Sequence, residues 1–319
     1  MKKNVLLIGV VLLVLNACAS ASKADRKREG DNSGQNTQMT PQDEEKMTAE
    51  VLPQMKKDYP TLSDPALQKY ITELGNKLVK ASHLEGKPYH YNFTIVDVDY
   101  VNAFALPAGT VFVTAPLISM AENEAELAGV IGHEIGHVIA RHSAERMDQA
   151  KKEQTGNILT AAGVGLLGGV AGYALGSKLC KNGDKLCMAK ATLAGGAVGA
   201  GGTLLVQKYF FMKNGREDEM EADRIGFRIA TKAGYDKNAV GTFYEKLLQM
   251  EKSRKNGNDN AAMKFVADAM STHPPSDERV AQMKEMARES SLGKGISDTS
   301  HFERAKKIVK EYSQKKSQK

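Results

Sequence analysis

Residues 133–137 read His133-Glu134-Ile135-Gly136-His137, an H-E-x-x-H pattern. On a helix, histidines four residues apart project from one face about a turn apart, so both imidazoles reach one metal ion. Glu134 then stands beside the open coordination position, where a carboxylate can take a proton from an activated water. With 7 His in 319 residues, roughly 0.01 accidental matches are expected, so chance is a poor explanation. The flanks agree with a helix. Glu122, Glu124 and Glu126 crowd the predicted first turn, where the positive end of the helix dipole favours carboxylates. Leu127, Val130, Ile131, Ile135 and Val138 supply an apolar stripe at helical spacing. The pattern implies one catalytic zinc per chain.

Such a zinc takes three protein ligands plus water, and the motif provides two. The continuation that would place a third histidine six residues on is absent, since that position is Ser143 and His142 lies one place off. The acidic run Glu217-Asp218-Glu219-Met220-Glu221-Ala222-Asp223 is the obvious alternative source. Glu219 and Asp223 share a helical face, so one can ligate while the other orients a ligand histidine.

Helical periodicity or start signals mark 40–58, 63–81, about 122–150, 208–232, 238–252, 262–271, 276–290 and 302–314. Strand character is confined to Tyr91–Val98 and Thr110–Thr114. Few, early strands followed by helices predict an α+β, mostly α, class with a small sheet.

Lys2, Lys3 and the apolar run Val5–Leu15 form an export signal too short to span a bilayer as a mature helix. Leu15-Asn16-Ala17-Cys18 resembles a lipobox, which makes Cys18 a lipidation site; an ordinary signal peptide cut near Ala19–Ala21 is the other reading. Either way the chain is exported. Ala19 after the cysteine resembles a lipoprotein sent to the outer membrane, facing the periplasm. The predicted organisation is a signal peptide (1–17), a polar flexible tether (18–40), a catalytic domain (41–290) and a basic, solvated helical tail (291–319). Cys180 and Cys187 flank an Asn-Gly-Asp turn and can form a disulfide across it, or stay free thiols.

Within the domain, a Gly-rich insertion at about 154–207 carries small residues every fourth position, including Gly168, Gly172 and Gly176. That spacing brings helices backbone to backbone, and leaves three readings open: a hairpin over the cleft, an interface between copies, or membrane insertion. The net charge of +6, without Trp and without basic–aromatic interleaving, predicts no nucleic-acid surface.

Four motifs occur in one order: Asn102-Ala103-Phe104-Ala105-Leu106-Pro107-Ala108-Gly109, His133–His137, Glu219-Met220-Glu221-Ala222-Asp223, and His273-Pro274-Pro275-Ser276-Asp277-Glu278-Arg279. Together they resemble the gluzincin family of the CAAX prenyl protease, the HtpX heat-shock protease and the mitochondrial Oma protease. The likeness extends to its bacterial periplasmic branch of YggG- and BepA-type lipoproteins. Ala108 stands where many members have Gly. The resemblance implies a zincin-like metalloendopeptidase domain, with His133, His137 and Glu219 on zinc, Glu134 as base and Asp223 behind a ligand. It also implies that His273 and Arg279 face the metal, His273 either stabilising the oxyanion or sitting on the zinc at rest. Val111, Phe112, Val113 and Thr114 match the edge strand along which a peptide lies. The partners implied are polypeptides, including outer-membrane proteins or their assembly machinery, and a membrane reached through the lipid anchor; homo-oligomers are left open. A chaperone or assembly factor with a mostly self-inhibited zinc site is the alternative function.

Overall fold

Thr40 and Asp43 close a capping box around the first helix, α1 (Pro41–Asp58), each side chain accepting the other's backbone N–H. Asp64 caps α2 (Pro65–Ala81) by accepting from Ala66 and Leu67 at 2.9 and 3.0 Å, with Pro65 opening the helix. There follow β1 (Asn92–Val96), β2 (Ala103–Ala105), a 3-10 turn (Pro107–Gly109), β3 (Thr110–Thr114), α3 (Ala115–Met120) and α4 (Glu124–Ile139). Beyond them come α5 (Arg216–Lys232), α6 (Thr242–Lys255), α7 (Ala261–Thr272), α8 (Asp277–Glu289) and α9 (Ser300–Ser317). This computed structural model describes residues 30, 32, 35, 37–83, 89–149, 214–256 and 261–318. Cys18, the export signal, Cys180, Cys187 and the Gly-rich insertion lie outside the described residues. The architecture is α+β and mostly helical. No helix among the described residues is long and apolar enough to cross a membrane.

The sheet has the order β1-β3-β2. β3 runs parallel to β1 (Asn92↔Thr110 to Val96↔Thr114) and antiparallel to β2 (Ala103↔Val113, Phe104↔Phe112, Ala105↔Val111). This corrects the expected edge strand. Val111, Phe112, Val113 and Thr114 form the central strand, paired on both sides and buried throughout. Val-Phe-Val is the continuous apolar run of a strand covered on both faces, not a half-exposed alternation. The free edge beside α4 belongs to β2.

The turn leaving β2 explains the glycine usual at position 108. Ala108 has φ 66°, in the left-handed region where glycine is favoured. The turn is held from α1 by Thr48 Oγ1, which donates to Pro107 O at 2.6 Å.

α4 and α5 cross in backbone contact. A Cβ at Gly132 would lie 2.9 Å from Gly226 O, and one at Gly226 would lie 2.6 Å from His133 N. Only glycine fits at such a crossing. The acidic first turn of α4 does more than complement a dipole. Glu124 is buried and accepts from Tyr235 Oη at 2.6 Å and from Thr299 Oγ1; Glu126 accepts from Thr242 Oγ1 at 2.8 Å and Lys246 Nζ at 3.2 Å. These carboxylates pin α4 to α6 and to the segments before α6 and α9.

Three expected boundaries differ. The motif helix does not run to 150: it stops at Ile139, turns at Arg141 (φ 54°) and resumes over 142–149. Arg141 Nε donates to Glu44 Oε2 at 3.3 Å, and Tyr89 Oη bonds the same oxygen. The C-terminal helix α9 is not a solvated tail. It buries Phe302, Ala305 and Val309 and reaches α2 and α3, so one face belongs to the core. The end of the expected tether is also bonded to the domain: Gly30 N donates to Glu221 Oε1 at 2.8 Å, Asn32 Nδ2 to Ile139 O at 3.1 Å, and Thr37 Oγ1 to Asp148 Oδ2 at 2.9 Å.

Candidate active site

α4 carries His133, Glu134 and His137 and turns Gly132 and Gly136 to α5, which brings Glu219, Glu221 and Asp223. His273 follows the last turn of α7, and Arg279 lies in the first turn of α8, whose N-cap Ser276 accepts from the Arg279 N–H at 3.2 Å. His133, Glu134, His137, Glu219, Asp223 and Arg279 are all buried.

Four donors converge. His133 Nε2 lies 3.0 Å from His137 Nε2 and 3.3 Å from His273 Nδ1. The Glu219 carboxylate lies 3.4 Å from His133 Nε2, 3.2 Å from His137 Nε2 and 3.1 Å from His273 Nδ1. A metal with four ligands at about 2.0–2.1 Å occupies a tetrahedron with edges of roughly 3.3 Å. The spacing of this donor set therefore fits a zinc-sized ion.

The groups behind the ligands agree with that fit. His133 Nδ1 is 2.8 Å from Asp223 Oδ1, which leaves its Nε2 free to face the cluster. His137 Nδ1 is 2.7 Å from His142 Nδ1, and His142 Nε2 is 3.2 Å from Glu221 Oε2. One assignment of protons satisfies the whole chain: His137 donates to His142, His142 donates to Glu221, and His137 Nε2 keeps its lone pair for a metal. Arg279 grips Asp223 with Nε and Nη2, both at 2.7 Å, and Glu219 with Nη1 at 2.7 Å. Its guanidinium thus stands behind the ligands, with its face 4.7 Å from the Tyr244 ring centre, rather than in the cleft.

Burial would push the Glu219 carboxyl up, but Arg279, His273 and His133 outweigh it and hold Glu219 well below the usual carboxylate range. Asp223 is lowered in the same way, against burial, chiefly by Arg279. Burial lowers His133, yet Glu219 and Asp223 more than compensate and bring it up to about 9. Burial and the neighbouring His133 depress His137. Glu134 is the exception among the carboxylates. Burial raises it, and His273, His133 and the Ala105 backbone only partly offset this. Its Oε1 lies 3.4 Å from His273 Nε2.

Some participants carry no motif of their own. Asn214 Nδ2 donates to Glu219 Oε1 at 2.6 Å and lies 3.3 Å from His137 Nε2. His142 and Glu221 hold His137 only because the chain turns sharply at Arg141, an arginine in a glycine-like conformation that periodicity does not announce.

A small mixed sheet beside an H-E-x-x-H helix, crossed by a helix whose Glu219 joins the two histidines as a third candidate ligand, defines a gluzincin-type metallopeptidase. Residues 65–287 match Peptidase family M48, and the chain belongs to that family of metal-dependent peptidases. It is similar to the beta-barrel assembly-enhancing proteases of Escherichia coli (strain K12), 31% identical, and Yersinia pestis, 29% identical. Each of these matches extends over 236 residues, 74% of this chain and 42% of the relative. It is also similar to the mitochondrial metalloendopeptidase OMA1 of Schizosaccharomyces pombe, 29% identical over 63% of this chain and 48% of the relative. The match thus spans less than half the length of these curated relatives.

Proposed function

We propose that the chain is a zinc-dependent endopeptidase that cuts misfolded or unassembled polypeptides in the bacterial envelope. The observation that carries this reading is the convergence of His133, His137 and Glu219 within ligand spacing of one another, with Glu134 buried beside them. Zinc held there supplies Lewis acidity, polarising the scissile carbonyl and making the attacking water more acidic. Glu134, with its carboxyl raised by burial, takes the water's proton and passes it to the leaving amine. Arg279 and Asp223 keep Glu219 and His133 in place, and His142 and Glu221 do the same for His137.

The substrate lies along β2. Asn102 O accepts from Thr114 N at 3.0 Å and Leu106 N donates to Thr110 O at 2.8 Å, so in the alternating antiparallel ladder Phe104 also faces β3. The backbone groups of Ala103 and Ala105 therefore point away from β3, where the Ala105 backbone meets Glu134 and an extended chain can add to the sheet beside it. The relatives' printed names, beta-barrel assembly-enhancing protease among them, support substrates in outer-membrane assembly. The export signal and Cys18 support an outer-membrane lipoprotein facing the periplasm.

His273 favours a second reading. Its place within the donor set suits a fourth ligand that keeps the site shut, as in an assembly factor that rarely cuts. His273→Ala decides between roles: faster cleavage marks a plug, slower cleavage a group that stabilises the oxyanion. The main test is Glu134→Gln. It should keep one zinc per chain and the wild-type melting temperature while abolishing cleavage of an unfolded reporter. Cleavage surviving in zinc-loaded Glu134→Gln protein overturns the assignment.

A further inference from the structure

Before α1 the chain runs as a strap over the end of α4, anchored at residues 30, 32, 35 and 37–39. Asn32 Nδ2 donates to Ile139 O at 3.1 Å, and Gln35 Nε2 donates to Ala140 O. The last carbonyls of a helix have no partner within it, so these two amides close the end of α4 that carries His137. Thr37 Oγ1 lies 3.3 Å from Ala144 O and donates to Asp148 Oδ2 at 2.9 Å. The Gln38 N–H also donates to Asp148, and Arg141 Nη2 donates to Met39 O. Met39 itself is buried, in one cluster with Met55, Ala144 and Met147.

The start of the strap bears on a carboxylate. Gly30 N donates to Glu221 Oε1 at 2.8 Å, and Glu221 Oε2 accepts from His142 Nε2 at 3.2 Å. His142 Nδ1 in turn accepts from His137 Nδ1 at 2.7 Å. Glu221 and His142 are fully buried, and a buried carboxylate takes its orientation from its donors. Three bonds thus join a backbone amide ahead of α1 to a candidate metal ligand. Space at that amide is tight. Gly30 has φ 79°, and a Cβ on it would lie 3.0 Å from Ile139 Cγ2 and 3.3 Å from Ile225 Cδ1.

We infer that the strap is a positioning element of the metal centre: its docking holds Glu221, Glu221 holds His142, and His142 holds His137 with Nε2 toward the donor set. Docking and zinc binding then favour each other, because both need the same arrangement of His137 and such coupling is reciprocal. A pull that travels along the chain from Cys18 meets the strap before it meets α1, and it loosens the metal centre by undocking the strap. The inference rests on the zinc reading of the site.

Two variants of the full chain test it. Gly30→Ala forces a methyl against Ile139 and Ile225 at positive φ. The triple variant Asn32→Ala, Gln35→Ala, Thr37→Val removes bonds along the strap and leaves Glu221, His142 and His137 intact. Each should lower zinc affinity about tenfold in competition with a chromophoric chelator. In a His142→Ala background neither should lower it further, whereas a general loss of stability would add to that substitution. Reciprocally, zinc loading of the wild type should slow hydrogen exchange in peptide 30–39 about fivefold, and His142→Ala should abolish the slowing. Wild-type affinity in both variants, equal losses with and without His142, or exchange indifferent to zinc overturns the strap's role, while zinc binding by the wild type leaves the site reading standing. A chain that binds no zinc sinks both.

Discussion

The Nδ1 atoms of His137 and His142 lie 2.7 Å apart, although the two residues belong to different helical segments separated by the turn at Arg141. This contact, continued to Glu221, leaves His137 one useful tautomer. His142→Ala removes the acceptor and should weaken zinc binding about 10–100-fold, the usual effect of losing a group behind a metal ligand. Competition with a chromophoric chelator measures it; unchanged affinity would mean that the His137 ring is held by packing alone.

Arg279 contacts both Glu219 and Asp223, and protonated His133 is the other side chain that does so among the described ion pairs. Replacing Arg279 with Met leaves two buried carboxylates with histidines alone for partners, which should cost about 3–5 kcal/mol in the metal-free protein. Zinc restores part of the missing positive charge, so the loss should shrink on loading. Urea unfolding with and without metal reads both values.

His133, brought up to about 9 from its ordinary 6.5, makes metal binding and stability depend on pH. In the metal-free protein the folded state holds this proton more tightly than the unfolded chain does. The resulting stabilisation is fully present below 6.5 and is lost as pH rises towards about 9. Zinc must displace the proton, so binding at pH 7.5 should release it. Calorimetry in buffers of different ionisation enthalpy counts the release, and a buffer-independent heat refutes it.

Gly226→Ala places a methyl 2.6 Å from His133 N. The helices must part, at a cost of about 1–3 kcal/mol or more, and the ligands on α4 and α5 part with them. Stability and zinc affinity should therefore fall together. Loss of stability with intact affinity would show that the crossing yields elsewhere.

The H-E-x-x-H helix was legible because its spacing is local: 3.6 residues per turn suffice to bring His133 and His137 together. Glu219 and His273 needed the motif order, since nothing in local periodicity joins residues so far apart in the chain. The edge strand was misplaced because β-propensity points to Val111–Thr114, whereas Ala103-Phe104-Ala105 offers three residues and a single aromatic. Glu124 and Glu126 looked like dipole partners at a helix start, and only tertiary structure supplies Tyr235 and Thr242. In α9, Phe302, Ala305 and Val309 stand at helical spacing; the surrounding lysines masked that buried stripe. His142 was beyond reach, because its position depends on a left-handed arginine.

The brevity of β2 has its own consequence. Three residues of open edge can hold a few residues of an extended chain but cannot reach the interior of a folded one. A long exposed edge would invite other strands to stack and polymerise, a hazard that short edges avoid. On the proposed function, that small landing strip doubles as protection against stacking with the chains it would hold.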